Sequence, residues 1–294
     1  MSNTNGTIGS KPEFVVVTDS GADIPRTYQN EFGIRVVPLT VRMGDQEFAD
    51  GVDLTIEEFW QRVRQGDVLP QTSQPGPADF ERVYGPLVEQ GYSVLSVHLS
   101  GELSGTVQSA RLAAQYFPPR RIRVVDSRSA SIGIGMLAIH AARLALSGVP
   151  CEEAEALIGK LVGEVRAFFT VESLDWLRRN GRIGRAKAFL GAILNVKPVL
   201  HLEDGVVAPV EQVRSREKSL RRIVDLAEQA ASGRPVQIGI VHGDSPAEAE
   251  ELLEKARAAM NVSGAIVTPL GPTIGSHTGP GTIGLLLMPA GGGR

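Results

Sequence analysis

Three separated segments of the sequence are rich in hydroxyl groups and glycine and carry little charge. They are 72–75 (TSQP), 100–106 (SGELSGT) and 276–281 (SHTGPG). Hydroxyls and free backbone N–H groups at the start of a helix can hold a carboxylate or a phosphate by hydrogen bonds alone, without a neutralising Arg or Lys. The residue types therefore predict a cradle for a small anionic head group, and they indicate a binding protein more than a catalyst.

The second segment lies where a predicted strand ends and a predicted helix begins. Helical periodicity runs over 107–117, which places Ser104 or Thr106 near the N-cap of that helix. Two interpretations stay open. The hydroxyls only cap the helix, or they contact a ligand that Gly101 and Gly105 allow to approach the backbone, beyond the carboxyl end of the strand.

The other two segments have the same pair of interpretations. Thr72 and Ser73 precede Pro75 in a stiff predicted turn that enters a helix from about residue 78, and turns of this kind are often structural. His277 lies in a predicted loop of Ser, Thr and Gly residues. A neutral imidazole there can donate one N–H to an anion or titrate near neutral pH, or it can serve the structure alone.

A serine hydrolase of the esterase or lipase kind is the alternative function. Ser104, Asp244 and His277 occur in the order that α/β-hydrolases use for their catalytic triad. The residues around Ser104 read GELSG, which differs from the GxSxG of a nucleophile elbow.

Two further motifs do not amount to a cofactor site. Gly133, Gly135 and Ala138 fit GxGxxA, but several residues separate them from the preceding predicted strand, whereas a dinucleotide-binding motif follows its strand directly. His242 and Asp244 supply too few ligands for a metal ion, which needs three or four. We therefore expect neither a cofactor nor a metal.

A basic cluster spans residues 178–187, with Arg182 inside the sequence NGRIG. It is either a solvated turn after a helix, where cations are favoured by the helix dipole, or a docking patch for an acidic or phosphorylated partner. Both interpretations stay open for Arg182.

The composition excludes several classes of protein. The chain of 294 residues has 30 basic and 33 acidic side chains, a formal net charge of −3, so it has no overall attraction for nucleic acid. Residues 1–13 lack the pattern of a signal peptide and predict a disordered leader. The apolar stretch 130–150 contains Arg143 and predicts a buried helix. We expect a cytoplasmic protein without stable membrane insertion.

The pattern of hydrophobic residues divides the sequence into two regions. In residues 14–165, short β-rich runs alternate with helical segments, which is typical of a parallel sheet covered by helices. The predicted strands are 14–18, 35–41, 94–99 and 122–125, and the predicted helices include one with a Thr55–Glu58 capping box, one from about 129 and one over 152–166.

The second region, residues 166–290, has more strands and fewer helices. Its predicted strands are 167–171, 198–202, 206–213, 236–242, 265–269 and 282–288, with helices over 215–230 and 246–260. A Glu203–Asp204–Gly205 turn predicts a hairpin, so this region is expected to form a mixed or antiparallel sheet. The apolar pair Phe168 and Phe169 is interpreted as core. The prediction is thus an α/β protein of two domains.

Taken together, these segments resemble the DegV family of bacterial fatty-acid-binding proteins. The resemblance runs over most of the chain, and the matching residues are Thr18–Asp19–Ser20 with Asp23, Thr72 to Pro75, Leu103 to Thr106 with Gln108 to Ala110, Asp126–Ser127, Asn180 to Gly184, Lys197–Pro198 and Gly275 to Gly281.

The resemblance implies a two-domain α/β protein that buries one long-chain fatty acid in a tunnel. It further implies that the protein is a carrier, which presents the carboxyl group to a separate fatty acid kinase for conversion to an acyl-phosphate. Thr72 and Ser104 would then bind the carboxyl oxygens, with His277, Ser73 and Ser100 nearby. Arg182 would dock the kinase or contact the transferred phosphate, and contacts with a membrane would be transient.

Overall fold

The computed structural model describes residues 12–66, 69–191 and 196–291. All but the last two residues of the predicted leader lie outside these ranges. The strands are β1 (Phe14–Asp19), β2 (Arg35–Val37), β3 (Thr40–Met43), β4 (Gln46–Ala49), β5 (Gln71–Ser73), β6 (Ser93–His98), β7 (Ile122–Asp126), β8 (Arg166–Thr170), β9 (Lys197–Glu203), β10 (Val206–Val213), β11 (Val236–His242), β12 (Val262–Pro269) and β13 (Ile283–Pro289).

The α-helices flank these strands on both sides. They are α1 (Arg26–Phe32), α2 (Ile56–Gln65), α3 (Pro77–Glu89), α4 (Thr106–Ala114), α5 (Ile132–Leu146), α6 (Cys151–Val162), α7 (Asp175–Arg179), α8 (Arg216–Ala231), α9 (Pro246–Ala259) and α10 (Pro272–Thr278). The predicted Thr55–Glu58 capping box is confirmed at the start of α2. The helix predicted over 152–166 ends at Val162 instead, where Gly163 occupies the C-cap.

The N-terminal region contains the expected parallel sheet, with strand order β2-β1-β6-β7. Its central strands are buried along nearly their whole length, because helices cover both faces. Phe80, Tyr84 and Ala110 on α3 and α4 fill one face, whereas α5 covers the other.

The strand predicted over 35–41 is wrong as a single element. It divides at Pro38 into β2, which belongs to the parallel sheet, and β3, which forms a small antiparallel sheet of order β4-β3-β5. Proline has no N–H to donate to a ladder, so the chain leaves one sheet there and enters another. The predicted turn at Thr72 and Ser73 is also wrong, because both residues belong to β5 and pair with β3.

The C-terminal region contains the expected mixed sheet, of order β10-β9-β8-β13-β11-β12. β11 and β12 are parallel and the other neighbours are antiparallel. The predicted hairpin is confirmed between β9 and β10, where Asp204 and Gly205 both have positive φ, at 52° and 82°. Helices α8 and α9 cover one face of this sheet.

Helix α5 joins the two sheets. It contacts β1 and β6 of the parallel sheet and β11 and β13 of the mixed sheet, and its apolar side chains are buried almost all round. One hydrophobic cluster therefore contains Phe14 and Val97 from the first region together with Val241 and Leu286 from the second. The domain boundary at residue 165 stays a prediction. Among the residues that the structure describes, no helix combines the length and the apolar character needed to cross a bilayer.

Candidate ligand-binding site

A cavity of about 370 Å³ lies where the two sheets meet. Leu99 and Ser131, just beyond the carboxyl ends of β6 and β7, form one side, and Phe169 and Leu286 of the mixed sheet form another. Most of its wall is aliphatic or aromatic, and its volume falls within the range of small-molecule sites. The cavity is therefore suited to an apolar ligand.

Hydroxyl, imidazole and guanidinium groups also line this cavity, and they come from elements far apart in the chain. Thr72 lies on β5, Ser104 in the turn before α4, His277 on α10, and Arg182 in the turn after α7. Ser73, an exposed residue, also lines the cavity, so five of the six residues predicted for ligand or partner contact share it.

His277 is held by helix α10, so the prediction of a loop at residues 276–278 is wrong. The helix ends at Thr278, and Gly279 follows with φ of +76°. A Cβ at residue 279 would also lie 2.6 Å from the Trp176 ring. Only glycine satisfies both conditions, and the turn that it makes fixes the end of the helix that carries His277.

His277 has one ring nitrogen bonded and one free. Its Nε2 lies 2.7 Å from Thr72 Oγ1, while its buried Nδ1 has no hydrogen-bond partner. Burial, assisted by the positive charge of Arg182, lowers the pKa of His277 from 6.5 to about 4, so the ring is neutral at pH 7. If Thr72 donates to Nε2, the ring proton is on Nδ1, and the Nδ1–H is a free donor. If the ring proton is on Nε2 instead, Nε2–H donates to Thr72, and the Thr72 hydroxyl is free to donate. Either tautomer leaves one donor for a ligand.

Ser104 lies one residue before Gly105, which occupies the N-cap of helix α4. Its Oγ lies 2.8 Å from Thr106 Oγ1 and accepts a long hydrogen bond, of 3.4 Å, from the Thr106 backbone N–H. Ser104 also lines the cavity. It therefore contacts the first residue of the helix and the cavity at the same time.

Ser100 has a different position from the other hydroxyl residues. It is fully buried outside the cavity wall, and its Oγ donates to the carbonyl of Gly205 at 2.8 Å. This bond joins the turn before α4 to the β9–β10 hairpin. Ser100 therefore supports the segment that carries Ser104 and does not line the cavity.

Arg182 brings a positive charge to the cavity wall that the three uncharged segments did not predict. Its Nε donates to the carbonyl of Leu103 at 3.2 Å and its Nη1 donates to the carbonyl of Asn180 at 2.8 Å. Within the described part of the chain, no carboxylate pairs with it, whereas Arg178 pairs with Asp175 and Arg185 with Glu203. An unpaired guanidinium beside His277 makes this part of the wall attractive to an anion.

The turn that carries Arg182 needs glycine on its far side. Gly184 has φ of +50°, and a Cβ there would lie 2.5 Å from the carbonyl oxygen of Val207. The sequence NGRIG therefore permits a close approach of two backbones, which holds Arg182 beside the cavity.

The geometry does not support the serine hydrolase alternative. Asp244 forms an ion pair with Arg64, whereas His277 bonds to Thr72 and Ser104 bonds to Thr106. A catalytic triad requires the serine and the carboxylate each to bond the histidine, and neither does. In the described ranges, no group of His, Cys, Asp and Glu residues is arranged to hold a metal ion.

Several cavity residues were missed from sequence. Phe168, interpreted as core, is buried in the core between the mixed sheet and α8 and α9, and it also borders the cavity, as do Phe169, Ser131 and Thr273. An apolar residue on a strand has the same pattern whether it faces packed side chains or a cavity. No sequence signal was available for the two phenylalanines.

Comparison with known proteins identifies relatives over nearly the whole chain. A family model described as "Uncharacterised protein, DegV family" matches residues 13–290. A DegV domain-containing protein of Caldanaerobacter subterraneus is 35% identical over 274 residues, which is 93% of this chain and 98% of that protein.

Two solved structures extend the comparison to the fold. A fatty-acid-binding DegV family protein of Thermus thermophilus is 40% identical, with a TM-score of 0.87 over 94% of this chain and 99% of that one. A stearic-acid-binding protein of Eubacterium ventriosum is 28% identical, with a TM-score of 0.87 over 94% of this chain and 98% of that one. The parallel N-terminal sheet and the mixed C-terminal sheet are shared with such structures.

Proposed function

Because this chain belongs to the DegV family, we propose that it binds one long-chain fatty acid in the cavity between its sheets. The observation that carries the proposal is the composition of the wall, which is largely apolar and contains Thr72, Ser104, Arg182 and His277. Relatives of the same fold bind fatty acids, including stearic acid. The fatty acid is a ligand, and the proposal includes no cofactor.

The tail and the head group contribute differently to binding. Burial of about fifteen methylenes at roughly 0.8 kcal/mol each gives on the order of 12 kcal/mol before the costs of association. One hydrogen bond to a charged group contributes only about 1.5 to 3 kcal/mol. The apolar wall therefore sets the affinity, and the polar groups decide which end of the ligand lies beside them.

We place the carboxylate against Thr72, Ser104 and His277, because each belongs to a hydrogen-bonded pair that leaves one donor unused. Thr72 and His277 leave one donor in either tautomer, and the Ser104–Thr106 pair shares one bond between two hydroxyls. Arg182 supplies the opposite charge at long range. Ser73 lies at the exposed part of the wall, and Ser100 acts through the Gly205 carbonyl.

The cavity wall is exposed at Ser73, which allows the carboxylate to be presented to a second protein. We propose that a separate fatty acid kinase phosphorylates the bound acid to an acyl-phosphate in the cytoplasm and that this chain is the carrier, which takes up its ligand in brief encounters with membranes. Arg182 docks the kinase or contacts the transferred phosphate. The exposed Arg179 extends the same positive surface, whereas Arg178 pairs with Asp175 and Arg185 with Glu203.

Native mass spectrometry of the purified protein tests lipid binding. We expect one co-purified fatty acid per chain, released by denaturation and restored when stearic acid is added to delipidated protein. A protein that carries no ligand and takes up no stearic acid would contradict the proposal.

A phosphorylation assay with ATP and a fatty acid kinase tests the carrier role. Arg182→Ala is expected to retain bound fatty acid and to lose most acyl-phosphate formation, while Arg178→Ala, whose charge is already paired with Asp175, serves as the control. Normal kinetics with Arg182→Ala would exclude its role with the kinase, whatever the result for lipid binding.

A further inference from the structure

The segment Asp19–Ser20 with Asp23, which begins at the last residue of β1, is not explained by the fatty acid cavity. These residues line a second cavity, of about 810 Å³, together with Asp50 from the turn after β4. Asp19, Asp23 and Asp50 are all buried, with at most 8% of their surface exposed. Three buried carboxyls in one place need a structural or functional reason, because burial of charge is costly.

Two of these carboxyls hold the start of helix α10. Asp23 Oδ1 accepts a hydrogen bond from the backbone N–H of Gly271 at 2.9 Å, and its backbone carbonyl accepts one from the Thr268 hydroxyl at 3.1 Å. Asp50 Oδ2 accepts from the backbone N–H of Thr273 at 3.0 Å and from the Thr273 hydroxyl. Helix α10 carries His277 one turn further on, so both acids are tied to the candidate head-group site.

The two acids also lie next to the wall of the fatty acid cavity. The Ser131 hydroxyl donates to Asp23 and the Thr273 hydroxyl donates to Asp50, and both Ser131 and Thr273 line that cavity. Ionisation or movement of either carboxyl therefore affects the cavity wall through one hydrogen bond, and it affects His277 through the short helix α10.

We propose that Asp23 and Asp50 form a latch that positions helix α10, and hence His277, for the ligand carboxylate, and that ionisation of Asp23 loosens this latch. The identity of the ligand rests on the proposed function, whereas the existence of the latch does not depend on it. Asp23 and Asp50 are positioning residues, since neither lines the fatty acid cavity.

Burial explains why ionisation of Asp23 opposes the latch. Burial, with smaller contributions from the negative charges of Asp50 and Asp19, raises the pKa of Asp23 from 3.8 to about 8 against the hydrogen bonds from Ser131 and Gly271. Burial likewise raises the pKa of Asp50 to about 6. The other charged or titratable groups nearby are Arg26, Arg35 and Glu57 across the second cavity, His98 bonded to Asp19, and His277 on α10.

The direction of the pH effect follows from proton linkage. The latched state keeps the Asp23 proton up to about pH 8, whereas a released, solvated Asp23 loses it near its ordinary pKa of 3.8. The latch is therefore strongest at low pH. It weakens as the pH rises towards about 8, and above that pH it weakens no further. His277, with its pKa near 4, does not titrate between pH 6.5 and 8.5.

Asp23→Asn is the informative variant. Asp23 has a left-handed backbone with φ of 48°, which asparagine also adopts readily, and the amide imitates the protonated carboxyl. Asp53→Asn is the matched control, because Asp53 is an exposed carboxyl in the same turn as Asp50 and bonds only the nearby Ala49 N–H.

The dissociation rate of cis-parinaric acid, a fluorescent fatty acid, is measured from pH 6.5 to 8.5. We expect the rate to rise about tenfold or more in the unmodified protein and in Asp53→Asn, and to change less than about twofold in Asp23→Asn. Asp23→Ala should release the probe about tenfold faster even at pH 6.5. An Asp23→Asn profile that matches the unmodified protein would overturn the proposal.

Hydrogen exchange of the Gly271 and Thr273 amides separates the latch from ligand binding. Relative to intrinsic exchange at each pH, their protection should fall as the pH rises in the unmodified protein and stay constant in Asp23→Asn. If the probe does not bind at all, the proposed function fails while this measurement still tests the latch. Equal protection profiles in both proteins would refute the latch alone.

Discussion

His98 and His277 each bond a hydroxyl group, but both ring nitrogens of His98 are hydrogen-bonded, whereas only one ring nitrogen of His277 is. His98 is fully buried, with Nδ1 2.9 Å from Asp19 Oδ2 and Nε2 2.6 Å from Ser96 Oγ, which in turn lies 2.7 Å from Tyr84 OH. His277 has a bond at Nε2 and none at its buried Nδ1, and it lines a cavity.

The comparison shows that residue types alone do not identify a functional site. Asp19, His98 and Ser96 are connected as in a catalytic triad, yet all three are completely buried, and neither His98 nor Ser96 lines either of the two cavities described above. Such a series of hydrogen bonds satisfies the polar groups that form it and stabilises the fold. A histidine that keeps one unsatisfied nitrogen beside a cavity is instead ready to bind a ligand.

The largest expected effect separates the two networks by stability. Asp19→Ala removes the acceptor for His98 Nδ1 and for the backbone N–H groups of Leu99 and Gly21, so we expect a loss of about 3 kcal/mol or more in the free energy of unfolding. His277→Ala should lose less than about 1 kcal/mol, because it breaks one bond. Urea unfolding followed by tryptophan fluorescence measures both, and equal losses would contradict the distinction.

The second largest effect that we expect concerns ligand binding by His277. His277→Ala is expected to lower the affinity for stearic acid about tenfold or more, because a hydrogen bond to a charged group is lost. The affinity for octadecanol, which has the same tail and no carboxylate, should change by less than about threefold. Competition with cis-parinaric acid measures both affinities, and an equal loss for the acid and the alcohol would place His277 away from the head group.

Ser104→Ala should have a smaller effect on binding than on catalysis by the kinase. We expect the affinity for stearic acid to fall by less than about tenfold, since the apolar wall supplies most of the binding energy. Acyl-phosphate formation should fall much further, because the hydroxyl orients the carboxylate. If affinity and turnover decrease by the same factor, Ser104 does not have this orienting role.

The smallest effect at neutral pH concerns the titration of His277. Its pKa is lowered from 6.5 to about 4 in the folded protein, so the folded state resists protonation. This contribution to stability is present above about pH 6.5 and is lost as the pH falls through about 4. His277→Gln should show a weaker loss of stability over this interval in acid unfolding, and an unchanged acid profile would contradict the lowered pKa.

Local chemistry made part of the structure predictable. The Thr55–Glu58 capping box and the Asp204–Gly205 hairpin are confirmed, because each depends on residues within a few positions of one another. The strand predicted over 35–41 is wrong, because continuous β-propensity concealed the change of sheet at Pro38. The predicted loop around His277 is wrong as well, because a helix of only seven residues, beginning at Pro272, leaves little periodicity to detect.

By itself, the sequence determined the alternation of strands and helices, the mixed C-terminal sheet, the resemblance to a family and the hydroxyl-rich segments. Only the tertiary structure decided that Thr72 bonds His277 across 205 positions, that Arg182 enters the cavity wall, and that Ser100 stays outside it. The physical reason is that propensity and periodicity act over one or two turns of chain. Whether a polar atom finds its partner depends on contacts between segments that are distant in sequence.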